Sequence, residues 1–266
     1  MPLENTGNIL KEIKIKAKTI TLVFADESFD ISHHAYTDQY LYVGKTLSRK
    51  EIELLKEQSQ LIKLEKYAFN LLAKGMYSQA QVKDKLFKKG AKSWMVAQII
   101  EQLINYKLIN DDEYIIQRLE YGQHRNEGFY KIVNDLLAKG IDENKIKKLS
   151  YDEHNELEKA KTHLDNLLKK YRHLSMLALK KAIYEYYQRN GFPDSIIHSI
   201  INTSLVFNQN QQIANLKIEL AKGQRKYNAR YQGMELKRRL ISYLSQKGYN
   251  YSDILNILGA KENDVD

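Results

Sequence analysis

The sequence predicts a mostly α protein: an elongated, curved array of tandem three-helix repeats preceded by a small N-terminal β element. Three observations predict it. Proline occurs only 2 times in 266 residues and glycine 12 times, so little interrupts a helix. From about Arg49 onward the apolar residues recur at spacings of three and four, which is one side of a 3.6-residue helix. One glycine-centred frame also recurs four times along the chain.

Composition sets the outer bounds. Hydrophobic residues make up 43% and charged residues 28%, enough to bury a core and cover it with polar surface. No apolar run reaches the roughly 18 residues of a membrane span. The segment MPLENTGNILKEIKIKAK alternates lysine with apolar residues where a signal peptide would hold an apolar block. The expected location is cytoplasmic and the expected state monomeric. With 0 cysteines, disulfides, Cys-based zinc sites and thiol catalysis are all excluded. The net charge of +9 points to a negatively charged partner: nucleic acid, an anionic membrane or an acidic protein surface. The 19 tyrosines suit wet binding surfaces, and equally helical cores in which the hydroxyl reaches water.

Residues 1–47 read as the β element. Ile13, Ile15 and Ala17 alternate with Lys14, Lys16 and Lys18 at a period of two. TITLVFA is β-branched and aromatic, ADES suits a hairpin turn, and FDIS and KTLS are short strand candidates. So small a sheet needs the helices to lean on. His33 and His34 are a metal-like pair, but neighbours on a strand point apart and no carboxylate–histidine constellation surrounds them. Ser48, with Glu51 three residues later, is a capping box that opens a connecting helix over 48–60.

The four repeats are expected at 61–109, 110–150, 151–206 and 207–266. Gly90, Gly140, Gly191 and Gly248 each follow apolar residues at four and eight positions before. Each is followed by an apolar residue at once and another six positions on. A cation stands near each helix end, where the dipole is negative. Glycine then takes the left-handed C′ conformation, and the next residue packs back on the helix just left. Ser93, Asp142, Asp194 and Ser252 are cap or near-cap candidates for the helices that follow. Within Glu156–Tyr171 the expected buried face is Leu157, Ala160, Leu164, Leu167, Leu168 and Tyr171. Asn110 is the expected cap of the helix in LINDDEY. Its acidic residues then lie in the first turn, where the dipole favours them, which is a structural reading of an otherwise metal-like triplet.

The pentapeptide LLAKG occurs at Leu71–Gly75 and Leu136–Gly140, yet it is a decoy. Gln81 stands six residues after Gly75, so Gly75 fails the frame. It ends the first helix of a repeat, whereas Gly140 ends the second helix of the next.

SQAQVKDKLFKKG (Ser78–Gly90), VAQIIEQLINYKLINDDEYI (Val96–Ile115) and EGFYKIVNDLLAKGID (Glu127–Asp142) resemble the RecX family of bacterial regulatory proteins. ADESFDIS in the N-terminal element resembles the longer members from low-GC Gram-positive bacteria. Members commonly carry an Arg-Pro-rich turn where this chain has KGMYS (Lys74–Ser78), so a binding role for that arginine does not carry over. Ser78 still fits the helix cap. The resemblance implies a modulator of RecA, the recombinase that forms helical filaments on single-stranded DNA. It also implies a place in the filament groove and inhibition of recombinase activities, including ATP hydrolysis. No cofactor is implied.

Candidate contacts come from charge. Lys217, Lys222, Arg225, Lys226, Arg230, Lys237, Arg238, Arg239 and Lys247 stand against Glu219 and Glu235 alone, with Tyr227, Tyr231 and Tyr243 interleaved. This stretch reads either as a contact surface for DNA phosphate or an acidic protein face, or as a solvated helix face. A second, weaker patch is Lys88, Lys89 and Lys92 with Arg118, Arg125 and Lys131. KKGAKS fails as a phosphate loop, because Ala91 separates Gly90 from Lys92 and no glycine lies upstream at the needed spacing. No enzyme motif is found. The competing reading is a helical-repeat protein that binds nucleic acid directly, without RecA.

Overall fold

The computed structural model describes residues 8–205 and 208–259. The outer ends of the β element and of the fourth repeat, and the third-to-fourth repeat boundary, lie outside the described residues. The chain divides into two compact units. One runs to Ile115 and includes Ala138–Glu143, and the other comprises Ile116–Leu137 and the chain from Asn144 on.

The first unit opens with an antiparallel meander, β1 (Glu12–Ile15), β2 (Ile20–Val23) and β3 (Ser28–Ile31), in the order β1-β2-β3. Ile20 pairs with Ile31 and Leu22 with Phe29, and these four side chains share the buried face. Ile15 is 70% exposed, because β1 is an edge strand. KTLS forms only a single bridge, Thr46 to Ile9. The two histidines open a short helix, α1 (His33–Asp38), where a strand pattern had been read. Ser32 caps it, so DESFDIS ends in a cap that the strand reading overlooked. The sheet's core includes Ile52 and Leu55 of the following helix, the support that so small a sheet requires.

That helix, α2 (Arg49–Leu72), is continuous, so the connecting segment and the first repeat's first helix are one rod. Its capping box is formed: the Glu51 N–H donates to Ser48 Oγ at 3.3 Å, and the Ser48 N–H to Glu51 Oε2 at 2.7 Å. Then come α3 (Gln79–Lys88) and α4 (Ser93–Asn105), α5 (Asp111–His124), α6 (Phe129–Ala138) and α7 (Glu143–Ile146). After these stand α8 (Glu153–Tyr171), α9 (Met176–Arg189) and α10 (Asp194–Thr203), then α11 (Gln209–Tyr227), α12 (Gly233–Gln246) and α13 (Tyr251–Leu258).

The four frame glycines have φ of 79°, 73°, 76° and 84°, and Gly75 is not left-handed. Past Gly90, Gly191 and Gly248 the chain turns back as a C-cap should: Ala91 N–H donates to Leu86 O at 3.1 Å, Phe192 N–H to Tyr187 O at 3.1 Å and Tyr249 N–H to Leu244 O at 3.2 Å. Lys107 and Asn126 do the same with φ of 56° and 52°, helix stops that a search for glycine passes over. After Gly140, α7 begins at Glu143, directly after the expected Asp142, while the other three starts are shifted by a residue or two from the expected caps. Lys92, Pro193 and Asn250 occupy three of the cap positions, and none makes a side-chain cap bond.

Successive repeats are joined by one device used three times. The N-terminus of a second helix meets the C-terminus of the second helix in the next repeat. Ser78 Oγ donates to Lys139 O at 2.5 Å, Gly128 N–H to Asn190 O at 2.6 Å, and Ser175 Oγ to Lys247 O at 2.6 Å. The next backbone N–H in each case finds a side chain of the following repeat's first helix. Gln79 N–H donates to Asp111, Phe129 N–H to Glu156, and Met176 N–H to Gln212, at 2.9, 3.0 and 2.9 Å. Asp111 is therefore a buried joint acceptor, beyond any role with its own helix dipole, and Asn110 Oδ1 accepts from Asp112 N–H as its cap reading requires.

Beyond the left-handed φ, the joint gives a second reason for glycine at Gly140, Gly191 and Gly248. At Gly191 an added Cβ would lie 2.5 Å from Lys131 Cβ and closer still to the Lys131 backbone nitrogen. In the third repeat the core is centred on Tyr187, whose hydroxyl donates to Ala160 O at 2.7 Å. Its hydroxyl thus reaches a carbonyl within the core and not water, and burial pushes its pKa up.

Gly191→Ala is expected to cost about 3 kcal/mol, from left-handed strain plus a backbone collision. Gly75→Ala, with open space and ordinary φ, is expected to be neutral or to stabilise by up to about 1 kcal/mol. Urea denaturation of the two variants checks the contrast.

Candidate functional site

The basic stretch near the C-terminus maps to α11, α12 and the turn between them. The burial of Leu216, Gly223, Leu240, Ile241 and Leu244 fixes which sides of the two helices face each other. An added Cβ at Gly223 would lie 3.0 Å from both Leu240 and Tyr243, so this glycine lets α11 and α12 approach closely. The cations fall on what remains: all nine are exposed except Lys237, which is half-buried.

The three tyrosines pack on one another. Tyr227 lies 6.2 Å from Tyr231 and 6.0 Å from Tyr243, centroid to centroid. Cations roof the cluster. Lys226 Nζ stands 5.0 Å from the Tyr227 ring and 5.7 Å from Tyr243, Lys247 Nζ 5.6 Å from Tyr243, and Arg239 5.1 Å from Tyr231. Both carboxylates are engaged. Glu219 accepts from Lys222 at 2.5 Å and from the Tyr243 hydroxyl at 3.0 Å. Burial acts to raise its pKa, but the bonds from Lys222 and Tyr243 outweigh burial and hold the carboxyl below its ordinary value. Glu235 pairs with Arg239 at 2.9 Å.

Five cations of this face have neither an ion-pair partner nor a ring contact among the described residues: Lys217, Arg225, Arg230, Lys237 and Arg238. The Glu219–Lys222 pair is readable from its i,i+3 spacing. The Tyr243 hydroxyl on Glu219 spans 24 residues and has no sequence signal. Chemically the face offers monodentate and forked donors for phosphate or carboxylate oxygens, held by a rigid aromatic base.

The weaker patch is divided between the two units and largely neutralised. Lys88 pairs with Asp84 at 2.6 Å, Lys92 with Glu57 at 2.5 Å, and Lys89 lies over Tyr67. In the second unit Arg118 is an internal residue with its side chain only 12% exposed. It forms an ion pair with Glu127 Oε2 at 2.7 Å and donates from Nε to Asp135 Oδ2 at 2.6 Å. Lys131 also pairs with Glu127, at 2.9 Å. Burial raises the Glu127 pKa, but Lys131 and Arg118 outweigh it and hold the carboxyl low. Arg125, exposed and beside Tyr121, and Lys89 over Tyr67 are the two members of this patch without an ion-pair partner among the described residues.

Among the described residues no group of three His, Asp or Glu side chains could hold a metal, and no helix is long and apolar enough to cross a membrane. His33 bonds the Lys16 carbonyl oxygen and His34 pairs with Asp38.

Helices in tandem repeats, locked by backbone joints and preceded by a small sheet, define the class: a mostly α repeat protein. Known proteins give the family. No protein-family model matches the sequence. The chain is 28% identical over 249 residues to the regulatory protein RecX of Bacillus velezensis, covering 90% of this chain and 93% of that one. It is 30% identical over 218 residues to the regulatory protein RecX of Streptococcus pneumoniae serotype 19F, covering 80% and 84%. Among solved structures, a crystal structure of regulatory protein RecX shares the fold with a TM-score of 0.57 at 19% identity, over 72% of this chain and 98% of that one. The chain belongs to the RecX family of regulatory proteins.

Arg118→Met is expected to destabilise by about 3 kcal/mol, because it takes an ion-pair partner from the buried Glu127 and from the half-buried Asp135. Arg225→Glu is expected to leave stability within about 0.5 kcal/mol, as an exposed substitution does. On heparin the order reverses: the Arg225 variant elutes at lower salt and the Arg118 variant elutes with the parent. Chemical denaturation and salt-gradient elution read the two effects separately.

Proposed function

We propose that this protein is a non-enzymatic modulator, mainly an inhibitor, of the RecA recombinase. It lies in the groove of the RecA–single-stranded-DNA filament and suppresses recombinase and ATPase activity, and so regulates DNA repair and recombination. The partner comes from the family resemblance. The observation that carries a contact role for this chain is the run of five unpaired cations on α11, α12 and their turn. A carboxylate or a tyrosine ring engages each of the other cations of the two patches, and these five have neither. They stand on packed helices with their apolar sides fixed, so little order is lost when a polyanion is engaged. Lys222, Lys226, Arg239 and Lys247 shape that face through Glu219, Glu235 and the tyrosines, and Arg118 belongs to the interior.

A second reading, direct nucleic-acid binding without RecA, draws on the same cations. Salt separates the two. Binding through phosphates alone falls by a log–log slope of about 0.7 per single-strand phosphate contact. Docking on the filament retains a salt-resistant part and requires RecA.

The deciding measurement is DNA-dependent ATP hydrolysis by the host's RecA with substoichiometric amounts of this protein. A variant carrying Arg225→Glu, Arg230→Glu, Lys237→Glu and Arg238→Glu is expected to lose at least about tenfold in inhibitory potency, an effect of the size that lost charged contacts produce. Absence of inhibition by the parent protein, with tight salt-sensitive DNA binding, overturns the reading in favour of the second.

A further inference from the structure

An open, mostly apolar groove of about 490 Å³ runs between α3 and α4 of the first repeat. Val96 and Ile100 form its floor, and Phe87 and Ile104, 49% and 42% exposed, its walls. Ala97 lies between them.

Counted from the frame glycine, this groove is governed by the residues seven before and seven after. In the third repeat those residues are Tyr184 and His198, seven from Gly191 on either side. The Tyr184 ring rests on His198 at 5.8 Å, and its hydroxyl donates to Asp194 at 2.9 Å. In the fourth repeat they are Ile241 and Leu255, both buried in one cluster. Those two repeats fill the place with their own side chains. In the first repeat the same positions hold Lys83 and Ala97, both exposed, and the Asp194 position holds Ser93. The ring is missing, and what would surround a ring is present: an apolar floor, a hydroxyl where Tyr184 finds Asp194, and small Ala97.

The rims carry opposite charges. Lys83 on α3 and Glu101 on α4 are exposed, and neither has an ion-pair partner among the described residues. An occupant must therefore match an apolar centre flanked by an acid on the α3 side and a base on the α4 side.

From this we infer that the α3–α4 groove is a protein-docking site. It receives an aromatic side chain from a partner segment, flanked by an acid over Lys83 and a base over Glu101, in the place that Tyr184 fills in the third repeat. The inference rests on the functional reading above, and the segment belongs to the protein subunits of the filament. The groove supplies the salt-resistant part of docking and the α11–α12 face the salt-sensitive part.

The test fills the groove with the third repeat's own solution, the variant Lys83→Tyr, Ser93→Asp, Ala97→His. Three quantities are read: inhibition of the host RecA's DNA-dependent ATPase, binding to protein-free single-stranded DNA, and thermal unfolding. The expected result is a loss of inhibitory potency of about tenfold or more, the size expected of a blocked anchor pocket. DNA binding and unfolding should match the parent. Unchanged inhibitory potency by a folded variant overturns the inference and leaves the function standing. If the triple variant does not fold, Ala97→Glu, a single change at an exposed position, is read by the same two outcomes. Absence of inhibition by the parent protein removes the functional reading, and the proposed occupant with it.

Discussion

The joint between successive second helices is the constraint on which the rest of the fold depends. An α-helix begins with four N–H groups that have no partner of their own. In α3, α6 and α9 the next repeat supplies part of what is missing. A carbonyl from the residue before its frame glycine meets the cap residue, and a side chain from its first helix meets the following N–H. Leaving such groups buried and unpaired costs about 1–3 kcal/mol each, so a repeat is completed by its successor. In the fourth repeat α12 has Gln232 as its cap residue, which makes no side-chain cap bond, and Glu235 faces the helix dipole in the first turn, paired with Arg239.

This joint also separates what was legible in the sequence from what was not. The C-terminal half of each joint is local. A cation near the helix end, a glycine, an apolar successor and apolar residues four and eight before and six after mark the left-handed stops at Gly90, Gly140, Gly191 and Gly248. Lys74-Gly75-Met76 has the triplet without that frame and is not left-handed. The N-terminal half is not local. Ser78 and Lys139 are 61 residues apart, Ser175 and Lys247 72, and no residue type announces the pairing. At the middle joint the partner is a backbone N–H of Gly128, which has no side chain to read. For the same reason Asp111 and Glu156 look like surface carboxylates in sequence and are buried acceptors in the fold. Glu156 sits one position off the apolar stripe of α8, so a helical wheel assigns it to solvent.

Charge was legible as a sum and poorly legible as a site. The second patch has as many cations as the unpaired set on α11 and α12, plus one, yet the fold gives most of its members carboxylates. Arg118 shows the reason. Its partners Glu127 and Asp135 lie on the far side of a helix break at Asn126, whose positive φ no glycine marked. On α11 and α12 the only two acids are both within four residues of their cations. Neutralisation there could be anticipated, and so could the residue of free charge.

A joint built mainly from backbone groups leaves most side chains free to diverge. The positions flanking the frame glycine by seven residues make the point: tyrosine on histidine in the third repeat, isoleucine on leucine in the fourth, lysine and alanine in the first. All three keep the same turn and the same stacking rule, because neither depends on what lies in that groove. One repeat can be closed by its own ring and another left open without either losing its place in the array. Relatives at 28–30% identity over most of the chain are consistent with this freedom. The scaffold asks for a glycine, an apolar successor and an acceptor at a joint, and leaves groove and charged face to be written by function.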